Sequence, residues 1–170
     1  MSSLLDSEVK EILDLRSFLT FDLNEQTFAV PVESVVEIQD MTAITKIPNA
    51  ATHMAGVQNL RGKILPVIDT RVKFGLPPVV DTVDTCIVVI DMEVEEEKVL
   101  VGALVDAVEE VISIPATEIQ SSKSIEAKFD LEFVSGMFKQ DEKFILMLDL
   151  NKVFALDDDN KVSVDNIKQA

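Results

Sequence analysis

The chain repeats itself. Gly56, Lys63, Asp69 and Phe74 return 80 positions later as Gly136, Lys143, Asp149 and Phe154, and the run Lys63–Asp69 answers Lys143–Asp149. Upstream, Val32-Glu33-Ser34-Val35-Val36-Glu37 answers Val105-Asp106-Ala107-Val108-Glu109-Glu110 at an offset of 73, and Phe18–Leu23 aligns with Cys86–Asp91. Offsets change between segments because insertions collect in loops. Two copies of one unit, each of about five strands, are therefore expected. Half of a 170-residue chain is too small to bury a good core alone. Closing each unit into a barrel and packing the two copies together hides the exposed strand edges.

The local pattern agrees with a mainly β unit. Phe18–Leu23 and Thr27–Val32 read as a hairpin across Asn24-Glu25-Gln26. Gly56–Leu60 and Ile64–Asp69 read as a second hairpin, turned by Arg61-Gly62-Lys63 with Gly62 at positive φ. Thr85–Asp91 and Lys98–Val105 flank an acidic tip at Glu93–Glu97, and Phe133–Met137 and Lys143–Leu148 form the last pair. Residues 33–38 read as a helical turn or the start of a strand, and Thr70–Phe74 as one or two helical turns ended by Gly75. Leu4, Leu5, Val9, Ile12 and Leu13 have helical spacing, giving an N-terminal helix or arm over residues 1–15. Residues 16–156 form the folded unit. Gln120–Lys128 reads as its longest loop and 157–170 as an acidic tail or short helix.

Charge and composition narrow the function. With 47% apolar residues the chain has enough material for a core. Its 31 acidic against 15 basic residues, net −16, argue against nucleic acid and against anionic membrane surfaces. No signal peptide and no apolar run of spanning length is visible, so a soluble cytoplasmic protein with no direct membrane insertion is expected. One cysteine, Cys86, excludes an internal disulfide.

Chemistry is sparsely supplied. His53, the only histidine, sits in a loop without a nucleophile motif, and Cys86 lies inside an apolar strand. No glycine-rich phosphate loop occurs. Asp157, Asp159 and Lys161 begin like a calcium loop, but lysine stands at its fifth position and Val162 where glycine is needed. No metal and no cofactor is expected. Asp69 and Asp149 could form a carboxylate pair of the kind a hydrolase uses. Each, however, follows an apolar strand and precedes a helical turn, where a carboxylate commonly caps the helix. Arg61, at an exposed turn of an acidic protein, suits either a salt bridge to a nearby acid or a docking contact. The valines at 32, 35, 36 and 108 suit either the core or an apolar surface.

The stretch Gly56-Val57-Gln58-Asn59-Leu60-Arg61-Gly62-Lys63-Ile64-Leu65-Pro66-Val67-Ile68-Asp69, leading to Arg71 and Phe74-Gly75, resembles the CheW coupling proteins of bacterial chemotaxis. The likeness runs from Phe18 to about Phe154, through the Pro48 loop and Val101–Asp106. It implies two pseudo-repeated, interleaved five-stranded β-barrels packed around a shared hydrophobic core. It also implies a non-enzymatic adaptor joining the regulatory domain of the histidine kinase CheA to the cytoplasmic tips of methyl-accepting chemoreceptors, recruited to membrane-associated receptor arrays. By motif position, a receptor-binding groove between the barrels maps onto Leu19, Val32, Val35, Ile38 and Val108, with Arg61 as polar contact. Kinase contact maps onto Ile44, Ile47 and Pro48. The long acidic hairpin and tail depart from the family pattern. Three readings compete: a CheW-like docking module of another two-component kinase pathway, a carboxylate-dependent hydrolase using Asp69 and Asp149, and an acidic nucleic-acid mimic. The mimic would need one continuous acidic face.

Overall fold

A computed structural model describes residues 14–77, 80–121 and 132–154. In chain order the strands are β1 (Leu15–Leu23), β2 (Gln26–Pro31), β3 (Val35–Asp40), β4 (Met54–Leu60), β5 (Lys63–Asp69), β6 (Cys86–Val94), β7 (Glu97–Val105), β8 (Ala107–Pro115), β9 (Gln120–Ser121), β10 (Val134–Gln140) and β11 (Lys143–Leu148). The segment 33–38 takes both conformations expected of it, a 3₁₀ turn at Val32–Ser34 running into β3. The N-terminal helix expected before the first strand, apart from its last residues, and the acidic tail lie outside the described residues. The first strand starts at Leu15.

Four hairpins share one reversal. Asn24 and Glu25, Arg61 and Gly62, Glu95 and Glu96, and Asp141 and Glu142 all have positive φ. Two central residues with φ above zero mark the type I′ turn, whose twist suits adjoining antiparallel strands. Only Gly62 adopts this conformation without a steric cost.

The repeat is visible in space, and its copies exchange strands. One sheet runs β8-β1-β2-β11-β10-β9 and the other β3-β6-β7-β5-β4. The first hairpin of each copy thus joins the third strand and last hairpin of the other copy. The parallel junctions correspond, Ala29 opposite Met147 in one sheet and Gly102 opposite Val67 in the other. The ladders shift one alignment by a residue. Val108 stands opposite Phe21 and Val35 opposite Ile90, so Phe21 matches Ile90 and Phe18 matches Ile87 rather than Cys86. Burial follows the shifted match. Leu19, Phe21 and Leu23 enter the same core as Val88, Ile90 and Met92.

Each sheet curls. The chain leaving β8 makes a 3₁₀ turn at Ala116–Glu118 and then pairs, as β9, with β10 at the opposite edge. The chain leaving β3 reaches across in the same way, where Thr45 bridges Val57 of β4. These crossings explain two repeated glycines. A Cβ on Gly56 would lie 2.3 Å from the carbonyl oxygen of Thr45, and one on Gly136 2.6 Å from that of Gln120.

Among the described residues, three apolar clusters fill the molecule. Phe18, Ala29, Ile112, Ile114, Phe138 and Ile145 fill the first curled sheet, and Leu60, Leu65, Val67, Ile87, Val89 and Leu104 the second. The largest cluster draws on both sheets, from Leu19, Phe21 and Val30 to Val88, Ile90 and Val101, and is closed by Val153 and Phe154. It is the shared core that the duplication predicts.

Candidate docking site

The site grows out of two β-bulges on the outer strands β3 and β8. In β3, Val35 faces Ile90 and Glu37 faces Val89, so Val36 is the extra residue. In β8, Val108 faces Phe21 and Val111 faces Leu19, with Glu109 and Glu110 opposite Thr20 alone. The Thr20 hydroxyl fills that bulge. It donates to the Glu110 carbonyl at 2.9 Å and accepts the Glu110 N–H at 3.2 Å. A bulge turns the strand by one residue. Val35 and Ile38, three apart, therefore share the side of Ile90 and Val88, and Val108 and Val111 share the side of Phe21 and Leu19.

Those sides face the shared core. Val35 and Val108 pack against it half-buried. Beyond them the apolar surface continues outward, with Ile38 47% exposed, Val111 57% and Val32 36%. The two edges meet at Cys86, which pairs with Asp40 of β3 and whose sulfur accepts the Val108 N–H of β8. Burial pushes the Cys86 thiol up, as do the charges of Asp40 and Asp84, so it stays a neutral thiol.

Of the five apolar residues expected in a groove, Val35, Ile38 and Val108 sit on the two outer strands, and Val32 lies in the 3₁₀ turn that leads into β3. Leu19 does neither. At 4% exposure it belongs to the shared core beside Val111 and forms part of the wall rather than its surface. Val111 is the missed residue. The offset that carries Val35 to Val108 also carries Ile38 to Val111, so the repeat contained the signal.

Arg61 protrudes from the β4–β5 turn and its guanidinium pairs with the Glu37 carboxylate on β3. This is the salt-bridge reading of Arg61, and it ties a turn at one edge of the sheet to the strand at the other. Ile44, Ile47 and Pro48 lie together on the stretch that follows β3 and runs beside β4. Ile44 packs on the second sheet's own core, Ile47 is half-buried and Pro48 exposed.

The carboxylates of the hydrolase reading are engaged structurally. Asp69 caps the helical turn Thr70–Lys73 by accepting from the N–H groups of Arg71 and Val72, and Asp149 caps Leu150–Val153 by accepting from that of Lys152. Asp69 also takes the guanidinium of Arg71 at 3.0 Å, while Asp81 and Asp106 each accept from it at 3.2 Å. Burial alone would lower the Arg71 pKa, but these hydrogen bonds and charges outweigh it and hold the guanidinium ionised. A buried arginine with three acidic partners left no trace in local sequence, because Asp81 and Asp106 reach it from other segments. His53 is half-buried ahead of β4, and its carbonyl accepts the Asp69 N–H. Among the described residues no group of three His, Cys, Asp or Glu side chains is placed to hold a metal, and no helix is long and apolar enough to cross a membrane.

Comparison with known proteins agrees with this architecture. The family model described as the CheW-like domain matches residues 17–158. The chemotaxis protein CheW of Rhizobium meliloti is 31% identical over 139 residues, covering 82% of this chain and 87% of that protein. CheW of Bacillus subtilis is 30% identical over 147 residues, covering 84% and 89%. The crystal structure of the scaffolding protein TtCheW from Thermoanaerobacter tengcongensis superposes with a TM-score of 0.73 at 34% identity, over 82% of this chain and 92% of that one. Duplicated strands, paired curled sheets and these likenesses lead to one assignment: the chain belongs to the CheW-like domain family.

Proposed function

We propose that the chain is a non-enzymatic chemotaxis adaptor, coupling the regulatory domain of the histidine kinase CheA to the cytoplasmic tips of methyl-accepting chemoreceptors. The observation that carries this reading is the apolar strip at the junction of the sheets, Val32, Ile38 and Val111 backed by Val35 and Val108. Exposed aliphatic residues on these two outer strands suit the apolar face of an amphipathic helix, the helix-in-groove mode. In this reading the receptor tip presents such a helix. Arg61, at the β4–β5 turn and paired with Glu37 of β3, would give the helix a polar contact. The segment carrying Ile44, Ile47 and Pro48 is a separate surface, which suits a second partner, the kinase.

Coupling in this reading is geometric. The adaptor binds both partners at once, and a receptor shift that changes its affinity for one kinase state moves the kinase equilibrium by that difference. No bond is made or broken on the adaptor. The protein would be cytoplasmic and held at the membrane only through the receptors. Co-sedimentation with receptor-tip fragments and with the CheA regulatory domain, separately and together, tests this. Each partner should pellet the chain alone, and both together should form a ternary complex. Arg61→Glu should weaken receptor capture and leave kinase capture intact. Mutually exclusive binding of the two partners would refute the bridging role.

A further inference from the structure

Duplication makes each half of the molecule a control for the other. Asp69 and Asp149 are equivalent residues. Each ends the second strand of a hairpin, caps a helical turn and donates its N–H to the chain ahead of that hairpin, to the carbonyls of His53 and Phe133 at 2.8 and 2.9 Å. Two residues further on, the copies differ: Arg71 in the first, Asn151 in the second. In the first copy the Arg71 guanidinium occupies the site. It reaches Asp69 Oδ1 through Nε at 3.0 Å and Asp69 Oδ2 through Nη2 at 3.2 Å, with Asp106 and Asp81 completing its shell.

The second copy has no such side chain, and its site is a cavity of about 480 Å³ against Asp149 and Asn151. That volume is within the ~300–1,000 Å³ typical of ligand pockets. Its apolar wall repeats as well, since Met92 and Leu148 stand where Leu23 and Ile68 stand in the first copy. Asp91 and Glu93 add negative charge, and among the described residues only Lys98 opposes them. Asp149 is thus the counterpart of a carboxylate that holds a guanidinium in the first copy, with Asp91 and Glu93 standing in for the further acids Asp81 and Asp106.

We propose that the cavity receives an arginine side chain presented by a partner protein, with Asp149 as its carboxylate acceptor in the part that Asp69 plays toward Arg71. Arginine is favoured over lysine because a planar guanidinium can engage both oxygens of one carboxylate, which an ammonium cannot match. The proposal is independent of the adaptor reading, because it derives from the internal repeat and the residues that line the cavity.

The test is an NMR titration of the full chain with N-acetyl-arginine amide, with N-acetyl-lysine amide run in parallel. The amides of Ser34, Asp149 and Asn151 should shift with a millimolar midpoint for the arginine probe, and about fivefold more weakly for lysine. Asp149→Asn should abolish the response. Because Asp149 also caps a helical turn, Asn151→Arg serves as a second variant. It supplies the missing guanidinium from within, so it should abolish the response while raising the melting temperature. Absence of saturable shifts at tens of millimolar probe, or shifts that persist in both variants, would overturn the proposal. Shifts that appear only after Lys161 and Lys168 are changed to Gln would also overturn it, because the chain's own C-terminal segment would then be the occupant.

Discussion

Ile38 and Val111 separate docking from folding. Burying a whole Ile or Val side chain is worth ~1.5–3 kcal/mol. Ile38 is 47% exposed and Val111 57%, so about half of that stabilisation remains available to a partner at each position. Truncating either to alanine should therefore cost about 1 kcal/mol of binding, roughly fivefold in Kd. The two positions lie on different sheets, so the double variant should lose about 2 kcal/mol, roughly thirtyfold. The other half of each side chain already supports the fold, so the double variant should also lose about 1–2 kcal/mol of stability while remaining folded. Leu19→Ala should act on the fold alone, costing ~2–5 kcal/mol of stability as a core truncation. Isothermal titration against a receptor-tip fragment, with circular-dichroism melts of each variant, distinguishes these outcomes. A double variant that stays folded and binds undiminished would show that these residues are not the docking surface.

Three further outcomes follow from particular residues. Arg71→Met should destabilise the fold by ~3–5 kcal/mol in denaturant melts, because Asp69, Asp81 and Asp106 lose their shared cation; a loss below about 1 kcal/mol would contradict the hub. Glu109 shares a hydrogen bond with Asp22 and is repelled by it, so its pKa is raised from 4.5. The folded chain then keeps a proton that the unfolded chain has released, and stability falls as pH rises from 4.5 through the raised value. Glu109→Gln should flatten that part of the stability–pH curve, and superimposable curves would count against the pairing. Glu142→Gly should raise stability by roughly 0.5–1 kcal/mol, because Glu142 has φ 67° in its turn and glycine adopts that conformation freely; a lower melting temperature would exclude this.

Much of the fold was legible because the repeat is recorded in residues with fixed local duties. Asp69 and Asp149 mark helical turns, Gly56 and Gly136 mark places where another strand passes too close for a Cβ, and alternating apolar runs mark the hairpins. What the sequence hid was long-range. A one-residue shift in the first hairpin reverses every face, and only the ladders reveal that Phe21, not Asp22, is the counterpart of Ile90. Leu19 and Val111 stand directly opposite one another, yet one is core and the other surface, because an outer strand lacks a neighbour to cover it. The ion cluster around Arg71 was hidden for the same reason, since its acids come from three separate segments.

The exchange of hairpins between sheets has a consequence for how the protein is made. The strand Gln26–Pro31 finds its second neighbour in Lys143–Leu148, more than a hundred residues later. A growing polypeptide on the ribosome therefore cannot finish its first sheet until Lys143–Leu148 has been synthesised. Cutting the gene at the midpoint would yield two fragments, each holding half of two sheets and the whole of neither. Assembly is thus a single, late and non-local event, of the kind that folds slowly for its size. What results is one body in which neither copy of the repeat has a complete sheet of its own.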